Sequence, residues 1–544
     1  MKFRPKCRTK FSYYVGKLCN TEGRVLSKRA WGKTLYENHY DACGRLKELI
    51  TGEQKTSYGY DKAGRLAEVC ASNGIRAQYQ YDRNDMQTEV LYGNGLRTLY
   101  TYDERSQLTG MESVLKDGRI LHKASYSYDN AGNRITRDEQ YTSLQMRHDT
   151  TCYTYDSMDR LTKESLNGAV TSYGYDNAGN RITKSTDGRT ESYLYNNRNQ
   201  LTELHREKDV VRYSYDPAGN LTEENYLTVD GASTKKLHYA YDVYNRNVSV
   251  TGDDFTQKNH YDAEGYRDSI TEKDKVTNFV YQGGMLLHEL DEDKNPARHY
   301  VLGNEYIGLD HNYYLMDEQG SVRYLTGSDG SIRNHYRYSA FGETITAEET
   351  VPNRLRYNGQ MADGLTGLYY LRARYYNASL GRFTQEDVIY NDGLNLYAYC
   401  NSNPVMHSDP SGFTKQCDPK VGGEKDSNTG KNSVYIPKDA DGNPIPLNKQ
   451  RINGQDIPLP DPAAQGRPHT VLGGKISSET GEVYRQSATF NGGSWPTANG
   501  YEVPLSEVHW TNHGRADAHT NPHQHVFNYD FDNRYWYRSD PEVF

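Results

Sequence analysis

Apolar side chains are scarce in this chain. They make up 35% of its 544 residues, against roughly 45–50% in ordinary globular domains. Cysteine is scarce too, with seven residues at positions 7, 19, 43, 70, 152, 400 and 417 and no two in C-x-x-C spacing. That excludes a zinc ribbon and a dithiol redox centre, and the odd number argues against a disulfide framework. No apolar run reaches the length of a membrane span. No basic block marks a nucleic-acid-binding face; the net charge is −8, spread along the whole length. The N-terminus, MKFRPKCRTKFSYYVGK, is basic but lacks the apolar core of a signal peptide. Either export uses a signal-free route or this chain is the tail of a longer protein, and the second is the expectation.

What is abundant is tyrosine, at 50 residues. Disordered chains are poor in aromatics, and a tyrosine packs its ring while keeping its hydroxyl wet. Composition therefore points to an ordered, thin-walled β structure. Many of the tyrosines stand in one repeated phrase, as in YGYDKAGRL from Tyr58, YSYDNAGNRIT from Tyr126, YGYDNAGNRIT from Tyr173 and YSYDPAGNLT from Tyr213. The acidic or amide positions are Asp41, Asp61, Asp82, Asp103, Asp129, Asp156, Asp176, Asn196, Asp216, Asp242 and Asp262, separated by 20 or 21 residues with three gaps of 26 or 27. A fixed period of this size means one supersecondary unit stacked many times. Alternation before the Asp puts both tyrosines on one face of a strand. The Asp can accept from the N–H groups that follow it, and Gly takes a positive φ. Each repeat thus reads as a hairpin, and stacked hairpins form one long sheet that twists and winds.

After Asp262 the phrase fades. Residues 1–279 are expected to form the repeat shell and residues 280–413 a distinct β-rich block. Residues 414–465, polar and rich in Pro, Gly, Asp and Asn, read as a linker. Residues 466–544 read as a small β-rich or α+β domain holding three of the four Trp and a histidine cluster.

The Y-x-Y-D-x-x-G repeats resemble the YD repeats of Rhs proteins. The block YYLRARYYNASLGRFTQED…GLNLYAYCNSNPVMHSDPSG resembles the Rhs-associated core that closes such arrays. The resemblance covers about residues 36–413. It implies a mainly β fold in which hairpins wind into a hollow shell, a core acting as a self-cleaving aspartyl protease, and a C-terminal toxin held inside. This is the architecture of polymorphic toxins used between bacteria and of insecticidal toxin complexes. It implies a secreted or surface-associated protein, an immunity protein as partner and a component of a secretion system as another. One departure is Asp387-Val388, where the family often writes Asp-Pro.

Peptide hydrolysis by two carboxyls needs both against one water, one accepting its proton while the other, protonated, polarises the carbonyl. By resemblance the pair is Asp387, in GRFTQED, and Asp409, in HSDPSG, with Arg382 as an orienting cation and the cut near Phe413 or Thr414. Spacing alone does not bring the two together, and DPSG is also the sequence of an ordinary type I turn.

The tail segment EVHWTNHGRADAHTNPHQHVFNY holds His509, His513, His519, His523 and His525. Neutral imidazole binds transition metals and also exchanges protons near neutrality. One reading is metal-free general acid–base cleavage of RNA by a histidine pair. Another is a divalent ion, held by Asp517, His519, His523 and His525, that activates water on a phosphodiester. A structural metal site, or histidines without a role, stays open as a third. Trp510 and Trp536 suit either base stacking or a core. The span GRPHTVLGGK…YRQSATF…VHWTNHGRADAHTNPHQHVF resembles the polymorphic toxin type 24 group. That resemblance implies a nuclease and carries over His469, Arg485, His513, Asp517, His519, His523 and His525. The function expected is a toxin whose shell releases a nuclease, RNase favoured, onto target-cell nucleic acid. The competing expectation is a wall-associated adhesion or carbohydrate-binding protein with a non-catalytic tail.

Overall fold

The computed structural model describes residues 16–20, 23–143, 145–388 and 395–417, and in the C-terminal part residues 446–452, 455–459, 469–476, 483–490, 506–509, 523–530, 535–538 and 542–543. Two compact units divide the chain, residues 1–425 and 426–544. Among the described residues there is no α-helix, and no helix long and apolar enough to cross a membrane.

The first unit is built on a 32-stranded antiparallel sheet running from Gly16–Cys19 to Thr344–Glu349. It is the mainly β, hairpin-wound shell that the repeats predict. The sheet is open rather than closed into a barrel, since among the described residues its first strand pairs with Val25–Ala30 and its last with Ile332–Tyr338.

One repeat shows why this sequence folds this way. Asp61 Oδ1 accepts the N–H groups of Ala63 and Arg65, each at 2.9 Å, and Oδ2 accepts Arg65 Nε at 2.8 Å. Gly64 closes the turn at φ +87°, a conformation that costs glycine little. Arg65 then reaches the next repeat, donating to the Asp82 carbonyl at 2.9 Å and lying 4.7 Å from the Tyr81 ring centroid. In return the Tyr81 hydroxyl donates to the Leu66 carbonyl at 2.7 Å. Of the two tyrosines, the first is buried, as at Tyr79, Tyr153, Tyr173 and Tyr193. The second sits at a β-bulge and ties its hairpin to the preceding one, as Tyr128, Tyr155, Tyr175 and Tyr195 also do.

The same turn extends beyond the readable phrase. Asn20 takes the Asp role one period earlier, accepting Arg24 N–H at 2.9 Å. Asp291 and Asp317 take it later, accepting from Asn295 and Ser321 at 2.8 Å, and at Ser339 the hydroxyl accepts Glu343 N–H at 3.1 Å.

The late strands fold back on the early ones. Buried Lys28 pairs with Asp262 at 3.1 Å and with Glu264 at 2.6 Å. Asn94 donates to the Gly327 carbonyl at 3.0 Å. One apolar core joins Tyr36 and Leu49 to Phe279, Leu287, Tyr336 and Tyr370; a second joins Val69, Val90 and Leu121 to Val301, Ile307 and Tyr324. Between late and early strands lie buried charges, including Arg134–Glu318 at 2.5 Å and Arg323–Glu139 at 3.1 Å. His335 is stacked between the Tyr141 and Tyr324 rings. Residues 382–385 and 395–403 dock on the row of repeat turns: Asn403 on Asn133, Asn395 on Asn180, Arg382 on the Asn199 carbonyl, Tyr397 on the Gly219 carbonyl and Gln385 on the Asn245 carbonyl. A fully buried bidentate pair, Arg267–Asp363 at 2.6 and 2.8 Å, ties the segment around residue 363 to the shell.

Candidate functional site

Four short strands, Met361–Ala362, Tyr369–Leu371, Arg374–Asn377 and Arg382–Phe383, form a small sheet after the shell. Arg374 opens the third strand and lies buried beneath the Phe383 ring, 3.7 Å from its centroid. Its Nη2 is 2.8 Å from Asp387 Oδ2 and 3.6 Å from Asp409 Oδ2. Both carboxylates are buried, so one guanidinium gathers two acidic groups that lie 22 residues apart in sequence. The Leu396 carbonyl accepts both Arg374 Nη1 and the Asp387 N–H at 3.0 Å, which fixes the first carboxylate's backbone.

The second carboxylate belongs to the turn it stands in. Asp409 Oδ1 accepts the N–H groups of Ser411, Gly412 and Thr414 at 3.2, 2.8 and 3.3 Å. Three consecutive residues grip this turn from outside. Arg372 donates to the Pro410 carbonyl, Ala373 N–H to the Ser411 carbonyl at 3.2 Å, and Arg374 Nε to the Gly412 carbonyl. Gly412 has φ +75°, and a Cβ there would lie 2.5 Å from the Leu371 oxygen and 2.9 Å from the Arg374 nitrogen. The ladder of His407–Ser408 with Gln416–Cys417 brackets the turn on both sides. Burial pushes the His407 imidazole down to about 4. Two carboxyls beside a gripped turn, with a guanidinium on one of its carbonyls, make an arrangement suited to attack on a peptide bond of that turn.

Arg382 lies elsewhere. It donates to the Asn199 carbonyl and stacks between the Tyr195 and Tyr397 rings, 4.8 and 5.0 Å from their centroids. Arg374, rather than Arg382, is the arginine that lies against the two carboxylates. The sequence offers a signal for it only in the density of arginines in YYLRARYY, which does not say which one faces the acids.

In the second unit, strands His469–Ile476, Val483–Phe490, Ser506–His509, His523–Asp530 and Tyr535–Arg538 form a sheet, with Glu542–Val543 paired to the fourth. His509 stands directly opposite Gln486 on one side and His523 on the other; Glu507 stands opposite Ala488 and His525. Cross-strand partners and alternate residues share a face. Glu507, His509, His523 and His525 therefore share one face, which His469 joins through its pairing with Phe490, whereas Arg485 falls on the other. His513, Asp517, His519 and Trp510 lie outside the described residues.

The Teneurin YD-shell family model matches residues 16–112 and 96–405. Among curated proteins, the tRNA nuclease WapA of Bacillus subtilis (strain 168) is 35% identical over 199 residues, covering 33% of this chain and 8% of that protein. Double-stranded DNA deaminase toxin A of Burkholderia cenocepacia (strain H111) is 35% identical over 108 residues, covering 19% and 7%. The chain spans less than a tenth of the length of these relatives. Among solved structures, the crystal structure of TcdB2-TccC3-Cdc42 matches with a TM-score of 0.52 at 19% identity, covering 73% of this chain and 23% of that one, a likeness of fold.

Proposed function

Because this chain belongs to the Teneurin YD-shell family, we propose that it is the carrier and passenger of a contact-dependent toxin, cut by its own core and armed by its C-terminal unit. The observation that carries this reading is the meeting of Asp387 and Asp409 at Arg374, beside a turn whose Gly412 carbonyl that same arginine holds. In the reaction one carboxylate takes a proton from water as it adds to a peptide carbonyl near Phe413. The other carboxyl, protonated, stabilises the oxygen that gains charge and then protonates the leaving nitrogen. Arg374 orients both acids and draws charge from the turn.

The passenger is read as a nuclease acting on RNA. Support comes from the histidine-rich face of the second unit and from a relative named a tRNA nuclease. An immunity protein would shield the producing cell, and export would bring the carrier to a neighbour. The chain expressed in bacteria should run as two fragments on a denaturing gel, with Asp387→Asn, Asp409→Asn and Arg374→Met each leaving it at full length. Wild type that stays whole would end the self-cleavage reading. Residues 414–544 expressed alone should arrest growth and degrade cellular RNA; harmless expression at high level would favour the adhesion reading.

A further inference from the structure

We propose that Lys294 and Asn278 are the two ends of an intramolecular isopeptide bond that the folded shell forms by itself, with Asp268 as the acid that relays the proton. The turn from Asp291 to Asn295 repeats the hairpin turn of the array: Lys294 N–H donates to the Asp291 carbonyl at 3.1 Å, as Gly64 N–H does to that of Asp61. Glycine takes this left-handed position at Gly64, Gly132 and Gly219, and asparagine at Asn199 and Asn245. Here it is a lysine at φ +64°. A long side chain is an uncommon choice for that conformation, and an outlier of this kind points to a use for the side chain.

Lys294 reaches back to strand Lys275–Gln282. Its Nζ donates to Asn278 Oδ1 and lies 4.9 Å from the Trp31 ring centroid, so an aromatic wall flanks the amine. Lys33 Nζ, from the same early hairpin as Trp31, holds the Lys294 carbonyl at 3.3 Å. Asn278 is 1% exposed, and its Nδ2 donates to the Asp291 carbonyl at 2.6 Å. The amide is thus pinned at its oxygen and its nitrogen, with its carbon beside the amine.

Asn278 stands opposite Ser269 on strand Arg267–Glu272. A register shift leaves Asp268, the next residue, as a bulge, and bulges re-aim side chains. Asp268 is buried and feels the Lys294 charge. Burial, aided by Asp262, pushes its carboxyl up against the pull of the His260 imidazole at 2.5 Å. Burial likewise pushes the Lys294 amine down, against the carboxylates of Asp268, Glu292 and Asp291. Both shifts favour a free amine beside a carboxylic acid over an ion pair. An ordinary lysine–asparagine hydrogen bond needs neither the acid nor the aromatic wall.

The step balances within the protein. Nζ attacks Asn278 Cγ as Asp268 protonates Oδ1. Asp268 then moves one proton from Nζ to Nδ2, the Cγ–Nδ2 bond breaks, and the Oδ1 proton returns to Asp268 as the carbonyl re-forms. The products are a secondary amide and one ammonia. No oxidant or other co-reactant is consumed, and held proximity stands in for an external catalyst. The bond fastens the turn that meets Trp31 and Lys33 to the strand beside it, at the seam of late and early strands.

The test weighs the purified full chain, or its shell fragment where it has cut itself, by intact mass spectrometry. Wild type should be lighter than its sequence by one ammonia. A digest that cuts after Lys275, Glu289 and Arg298 should leave the Asn278 and Lys294 peptides joined as one branched species, uncut after Lys294. Lys294→Arg, Asn278→Ala and Asp268→Asn should each show the full sequence mass and the circular dichroism of wild type. Wild type at its full sequence mass overturns the proposal. So does an ammonia loss that persists in Lys294→Arg, since it then belongs to another residue. Asp268→Asn that links as completely as wild type overturns the acid's role.

Discussion

Asp363→Ala is expected to loosen the attachment of the segment around residue 363 to the shell. Both side chains of the Arg267–Asp363 pair are fully buried. The carboxylate accepts two guanidinium bonds and a third from Gln257 Nε2 at 2.8 Å. Arg267 also lies 4.5 Å from the Tyr370 ring centroid and donates to the Tyr375 hydroxyl at 3.1 Å. Removing the carboxylate strands a buried cation, a loss of about 3–5 kcal/mol. In a unit this large that lowers the unfolding temperature by on the order of 5 °C. Replacing both partners with apolar side chains of similar volume, Arg267→Met with Asp363→Leu, removes the stranded charge and should restore stability to within about 1–2 kcal/mol of wild type. Differential scanning fluorimetry of wild type, the single variant and the double variant decides it. If Asp363→Ala melts with wild type, or the double variant is worse than the single, the pair is not the tie described here.

Gly412→Ala should abolish self-cleavage, because a Cβ there meets backbone at 2.5 and 2.9 Å at a φ of +75° and must displace the turn; a gel showing normal fragments would refute the gripped-turn geometry. Tyr175→Phe, which loses the bond to the Leu161 carbonyl at 2.7 Å, should cost about 1 kcal/mol, read by urea denaturation; no change would mean that the inter-repeat bond adds nothing. Burial, with the Arg323 and Arg337 guanidiniums beside it, holds the His335 imidazole down to about 3. Its folded value is below the unfolded one near 6.5, so the unfolded chain takes up the proton and stability falls as pH drops from about 6.5 towards 3, by up to about 1.4 kcal/mol per pH unit. Asp317, raised to about 6 by burial and the adjacent Glu318 charge, acts in the opposite sense between about pH 6 and pH 4. His335→Phe should therefore flatten the acid loss of thermal stability between about pH 6.5 and pH 5; an unchanged slope would refute the assignment.

The hairpin array was legible because tyrosine, Asp and a turn residue recur in one register from Asp41 to Asp262. Its true reach was not. Asn20 does the work of Asp behind Leu18-Cys19 rather than tyrosine, and Asp291, Asp317 and Ser339 follow gaps of 29, 26 and 22 residues. A hydrogen-bonded turn tolerates such exchanges and a written phrase does not. Asp387 and Asp409 were legible as residues through family resemblance, but their meeting depends on Arg374, whose partners lie 13 and 35 residues away. Nothing local marks it apart from Arg372 or Arg382. The packing of late strands over early ones was likewise invisible, since a strand's alternation says which face is covered and not by what.

The docking of residues 382–385 and 395–403 on particular repeat turns has an evolutionary corollary. A straight solenoid can gain or lose a unit almost freely, since each unit meets only its neighbours. Here Asn133, Asn180, Asn199, Gly219 and Asn245 must each arrive beneath an assigned partner. Deleting one hairpin between Asn133 and Asn245 would shift every later address by a full step. Copy number in that stretch should be frozen among descendants of this chain, while amino-acid identity at the outward-facing positions drifts.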